Sequence, residues 1–176
     1  MNDVTTTIDH KTRKMKIFRF GAAPDLSDTN TLKISELVPV SAHGMQNLFE
    51  VGYLDGREIK LIVDLPCFSL THVWFKADFP LPLHSHNADC LYYVIAGSLK
   101  MGTEIVEARD SFFIPANVPY TYRPGADGVE LLEFRHANTF DFQLLAKSAG
   151  YFERAVTTVV GKHDEWLTTK RPALNI

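Results

Sequence analysis

The fold is decided by Leu83-His84-Ser85-His86-Asn87-Ala88-Asp89-Cys90, read together with Arg109-Asp110-Ser111-Phe112-Phe113-Ile114-Pro115-Ala116-Asn117-Val118-Pro119-Tyr120. His84 and His86 stand two apart. On a strand, or on an extended loop entering one, residues i and i+2 project from the same face. Two imidazoles side by side on an inner face can chelate one divalent metal ion. The competing reading is a pair of surface histidines beside Pro80 and Pro82. The surrounding pattern separates the two.

On either side of this stretch the chain reads as strand, turn, strand. Gln46–Tyr53 and Glu58–Val63 flank Asp55-Gly56, a hairpin dipeptide. Ser69–Ala77 alternates as a strand, Cys90–Ala96 runs to Gly97, and Leu99–Met101 and Glu104–Ala108 flank Gly102-Thr103. Ser111–Ile114, Tyr120–Arg123 and Val129–His136 follow, punctuated by Pro115 and Pro124-Gly125. Short strands at regular spacing predict an all-β sandwich or barrel rather than βαβ units. Residues 1–40 read as an N-terminal extension, with a basic cluster (Lys11, Arg13, Lys14, Lys16, Arg19) and an alternating edge-strand pattern over Lys16–Phe20. The β domain spans 41–137, and 138–176 is a C-terminal helical appendage with helices over Phe142–Ala149 and Tyr151–Val160 broken at Gly150 and Gly161.

The chain has 176 residues, 45% hydrophobic and 22% charged, enough for one core without disulfides. Its net charge of −3 argues against broad nucleic-acid binding. It has neither an apolar run of membrane-spanning length nor a visible secretory signal. Cys67 and Cys90 therefore read as reduced thiols of a cytoplasmic protein.

The two motifs resemble those of the cupin superfamily. That family's first motif places H-x-H, three or four residues, Glu, six residues and Gly; here His84-Ser85-His86 is followed at those spacings by Cys90 and Gly97. Its second motif, roughly Gly-Asp, apolar residues, then Ile-Pro-Ala-Gly-x-Pro-His, aligns without a gap on Arg109–Tyr120. The resemblance covers about residues 60–136 and implies a cupin jelly-roll β-barrel. Four positions depart from it. Cys90 stands for the motif Glu, Tyr120 for the motif His, and Arg109 and Asn117 for glycines. Asn117 tolerates a positive φ, whereas Arg109 predicts a turn needing no left-handed residue.

Two of the four ligands the family uses are thus present, His84 and His86. His136 on the following strand, His72 on the preceding one, Cys90 as a thiolate, or Tyr120 as a phenolate could complete the set. Asp89 has the opposite parity to Cys90 and ranks lower. Tyr92 and Tyr120 are candidates for passing protons. His72, Trp74, Cys90 and Tyr122 are candidates for lining the pocket. The expected function is a metal-dependent enzyme, an Fe2+ dioxygenase type acting on a small organic substrate, with Zn2+, Mn2+ or Ni2+ the other metals considered. The alternatives are an isomerase or lyase at the same centre and a non-catalytic small-ligand-binding barrel. Exposed edges on a small barrel predict a homodimer, with residues 16–40 or the C-terminal helices at its interface.

Overall fold

The structure, a computed structural model, describes residues 14–172. Lys11 and Arg13 of the basic cluster lie outside the described residues. The elements in order are β1 (Leu32–Ile34), α1 (Pro39–Glu50), β2 (Arg57–Leu65), β3 (Phe68–Phe75), β4 (His84–Ser85), β5 (Cys90–Met101), β6 (Glu104–Glu107), β7 (Ser111–Ile114), β8 (Arg123–Arg135), β9 (Phe140–Leu144) and α2 (Ala149–Thr168). One sheet runs β2-β3-β8-β5-β6 with β7 also on β5, and the other runs β1-β9-β4.

Strand register decides what faces inward. In the antiparallel β3–β8 pair, Val73 lies opposite Leu131 and Phe75 opposite Val129; in β5–β8, Val94 lies opposite Leu131. All five are at most 4% exposed and share one core. Burying each contributes roughly 1.5–3 kcal/mol. The same parity carries Glu133 and Arg135 of β8, and Cys90 and Tyr92 of β5, into the interior. The opposite parity carries His72 and Trp74 to the other face, against Leu132 and Glu130.

Several local readings are corrected. The segment before Asp55-Gly56 is the helix α1, with Pro39 in its first turn, and Tyr53–Gly56 is a 3₁₀ turn rather than a hairpin. Proline is pre-organised for a first helical turn and lacks only an N–H that would go unpaired there. Lys16–Phe20 forms no strand; the edge strand is β1, parallel to β9. Gly97 does not end β5 but sits at a bulge with φ +73°, where a Cβ would meet the Gly128 carbonyl oxygen at 2.2 Å. Pro124-Gly125 lies within β8. Phe142 belongs to β9, and α2 runs unbroken through Gly150 and Gly161. Arg109 has φ +81°, so its turn does need a left-handed residue, as Asn117 does at φ +63°.

The helix α2 packs on α1 and on the Ala77–Phe79 segment that follows β3. Trp166 is fully buried and its indole N–H donates to the Ala77 carbonyl at 2.9 Å. Asp78 pairs with Arg123 at 2.6 Å and with Lys162 of α2 at 3.3 Å. Gly44 of α1 and Phe152 of α2 pack so closely that a Cβ on Gly44 would fall 2.1 Å from the ring.

Candidate functional site

The site is built where β4 meets β9. Backbone bonds in both directions join His84 to Tyr120 (3.1 and 2.9 Å), and β4 pairs His84 with Leu144 and Ser85 with Gln143. Strand β4 is two residues long, so His84 opens it and His86 follows its end. Their side chains are 3% and 8% exposed, with ring centroids 5.1 Å apart. His84 stacks on Phe142 at 4.8 Å, and His86 meets Phe140 edge-on at 5.5 Å.

Each ring is oriented from behind. His84 Nδ1 donates to the Pro82 carbonyl at 2.7 Å, and His86 Nδ1 donates to the Asp141 carbonyl. A carbonyl only accepts, so both rings carry their proton on Nδ1 and present the Nε2 lone pair. Neither Nε2 takes a hydrogen bond from a described residue. Burial lowers both pKa values to about 4, aided at His84 by the adjacent His86 and at His86 by the Arg135 charge. Both imidazoles are therefore neutral near pH 7. Neutral rings held by an Nδ1–H bond to a carbonyl are the form in which histidine ligates a metal.

The remaining candidates divide by strand parity. Tyr92 and Tyr120 are buried and meet hydroxyl to hydroxyl, and the Tyr120 ring lies 4.3 Å from that of His84. Tyr122 stacks beside Tyr120 at 6.4 Å, and Phe112 lies flat on Tyr92 at 4.5 Å. Cys90 is 1% exposed in the same interior, where burial pushes its thiol up to about 12. Burial also raises Tyr92, Tyr120 and Tyr122 well above the ordinary phenol. These groups are protonated at neutral pH and donate hydrogen bonds rather than charge.

Four candidates fall outside the cluster. His136 follows the end of β8 with the parity opposite to Arg135 and is exposed, so it does not join the histidine pair. His72 and Trp74 do not line the barrel interior. His72 bonds Glu130 at 2.6 Å beneath the edge of Phe20, and Trp74 lies under Lys76 and Arg171. Asp89 is engaged by the Ala116 N–H at 2.7 Å.

Sequence alone leaves Arg135, like Arg109 and Arg123, between a solvated charge and a clamp for a substrate carboxylate, and it misses Glu133. Arg135 is 1% exposed and bonds Glu133 at 2.6 Å, with its guanidinium 4.0 Å over the Phe140 ring. Burial, the largest single influence, would lower its pKa, but Glu133 together with Tyr92, Cys90 and Tyr120 outweighs it, and the pKa is raised. The missed signal was the alternation Val129, Leu131, Glu133, Arg135.

Two neutral imidazoles with free lone pairs fit two coordination positions of a divalent transition-metal ion. Among the described residues, no group of three or more His, Cys, Asp and Glu is placed to hold one. The chain's own side chains of those types thus contribute two donors, where catalytic centres commonly use three.

With its two sheets, the H-x-H pair at β4 and the Ile-Pro-Ala turn after β7, the chain has the cupin fold. No family model matches the chain, and no curated protein matches it. Among solved structures it is similar to the polyketide cyclase RemF from Streptomyces resistomycificus, at 19% identity over 59% of this chain and 84% of that one, with TM-score 0.50. It is also similar to a protein of unknown function with a cupin-like fold from Ralstonia eutropha JMP134, at 16% identity over 86% and 90%, TM-score 0.49. A salicylate 1,2-dioxygenase from Pseudaminobacter salicylatoxidans aligns at 16% identity over 61% and 38%, TM-score 0.45. These are likenesses of fold. No described helix is long and apolar enough to cross a membrane.

Proposed function

We propose that this chain is a small-molecule enzyme in which His84 and His86 hold one divalent transition-metal ion, and that its reaction is a dioxygenase-type oxidation at Fe2+. The observation that supports this reading is the pair of Nδ1–H bonds to Pro82 and Asp141, which leaves both Nε2 lone pairs free. A bound ion supplies Lewis-acid polarisation of a substrate oxygen and, as Fe2+, a place for dioxygen. The rest falls to this chain's residues. Phe140, Phe142, Tyr120 and Tyr122 wall the histidines with aromatic surface and exclude water. Tyr92 and Tyr120 share a proton between buried hydroxyls and relay it towards the His84 side of the pocket. A small organic substrate with oxygen donors of its own would complete the coordination.

Elemental analysis of untagged protein, wild type and His84→Ala/His86→Ala, tests this. About one equivalent of a transition metal is expected in wild type and none in the variant. Iron supports the oxidation, whereas zinc, manganese or nickel redirects it to an isomerase or lyase. No metal in wild type, even after anaerobic reconstitution with Fe2+, overturns the reading.

One observation favours a second reading. Two donors hold a metal weakly, and a barrel that keeps its lined pocket without a metal is a small-ligand-binding module. Wild type that stays metal-free yet binds a small ligand supports it. In either case the protein is proposed as a cytoplasmic homodimer built through residues 16–40 or α2. A sedimentation mass of one chain over a wide concentration range overturns that assembly.

A further inference from the structure

Among the described residues one guanidinium is buried, and it is short of partners. Arg135 is 1% exposed. Its Nη1 donates to Glu133 at 2.6 Å, its Nη2 reaches the Tyr92 hydroxyl only at 3.5 Å, and its Nε donates to no described residue. A guanidinium carries five N–H donors, and buried ones left unmade are costly. Leucine or methionine would fill the space at less cost, because a buried ion pair stabilises a fold little relative to apolar packing. The placement explains what the charge is for. Through Tyr92 and Tyr120 the guanidinium connects to the ring beside His84, and through Phe140 it backs onto His86. Glu133 compensates one face, and the donors left over match the planar pair of oxygens of a carboxylate.

We propose that Arg135 is a recognition residue of the barrel, and that the ligand entering beside His84 and His86 bears a carboxylate. This rests on the interior being a small-molecule site, as proposed above, but not on any metal. An oxyanion bonded by Arg135 and by the Tyr92 hydroxyl would orient the rest of the ligand along the tyrosine pair towards the histidines. Glu133 is the positioning residue, fixing the guanidinium plane through Nη1.

Thermal unfolding of EDTA-treated protein tests this, with acetate, glycolate and benzoate as probes and acetamide, glycolamide and benzamide as neutral counterparts. At least one acid is expected to raise Tm by about 2–4 °C at several times its Kd, while its amide does not. Inorganic phosphate, run in parallel, distinguishes a planar carboxylate site from a general oxyanion site; a response to phosphate alone overturns the carboxylate assignment. Arg135→Met alone strands Glu133, so Arg135→Met/Glu133→Gln is the informative variant. It is expected to fold with an unchanged or higher Tm and to lose the acid response. No response from wild type to any acid, or a response kept by the double variant, overturns the proposal. Because metal is stripped throughout, a failed metal analysis leaves this result standing, and the reverse also holds.

Discussion

Tyr92 and Tyr120 point their hydroxyls at each other across the barrel interior, from β5 and from the residue that bridges β4. Each oxygen satisfies the other in a space where burial forbids ionisation of either. Removing the Tyr92 hydroxyl leaves that of Tyr120 buried without this bond, and removing that of Tyr120 leaves Tyr92 only the long contact with Arg135 Nη2 at 3.5 Å. Tyr92→Phe and Tyr120→Phe are each expected to destabilise by about 1–3 kcal/mol in urea unfolding. The double variant is expected to cost less than their sum, with a coupling of about 0.5–3 kcal/mol. Strict additivity would show that the pair does not act as a unit.

Acid should loosen the fold through the histidine pair. An unfolded imidazole titrates near 6.5, whereas His84 and His86 are lowered to about 4 by burial. Between those values the unfolded chain binds more protons than the folded one. Stability is therefore full above about pH 6.5, falls as pH drops, and levels off below about pH 4. Together the two account for a loss on the order of a few kcal/mol. In metal-free protein, unfolding free energy followed by denaturant at successive pH values should show this slope. His84→Asn/His86→Asn should flatten it.

Gly97 offers a test of the β5 bulge. Its φ of +73° and the Gly128 oxygen 2.2 Å from a would-be Cβ combine two penalties. Gly97→Ala is expected to cost more than about 2 kcal/mol, from backbone strain and from displacement of β8. Gly102 has φ +59° but nothing within 4 Å, so Gly102→Ala isolates the backbone part, about 1–2 kcal/mol. Equal effects at the two sites would refute the close approach of β5 and β8.

The sequence carried the fold through short-range chemistry. The H-x-H spacing, the Gly102-Thr103 turn between β5 and β6, and the Ile114-Pro115 stop are all local, and each stands where the pattern put it. Parity was harder. In Val129–His136 both alternating sets carry apolar residues, Val129 and Leu131 in one and Leu132 and Phe134 in the other. Choosing the set with Leu132 and Phe134 points His136 inward; the register with β3 and β5 chooses the other, which turns His136 out and Arg135 in. A one-residue difference exchanges every side chain across a strand. The same ambiguity at β3 sent His72 and Trp74 to the wrong face. At Arg109 the substitution for glycine hid a left-handed turn, because the barrel imposes the conformation whatever it costs the residue.

The carbonyl that steadies His86 belongs to Asp141, 55 residues further along the chain. The same residue's carboxylate accepts the Asn87 N–H at 2.6 Å, and its own N–H donates to the Asn87 side chain at 2.9 Å. A chain leaving the ribosome therefore exposes its histidines long before it can aim them. Until β9 emerges and docks, His86 has no brace and the pocket has no Phe140 or Phe142 wall. The geometry of the pair thus waits on β9, and a product truncated before residue 140 keeps His84 and His86 but not the carbonyl that orients His86.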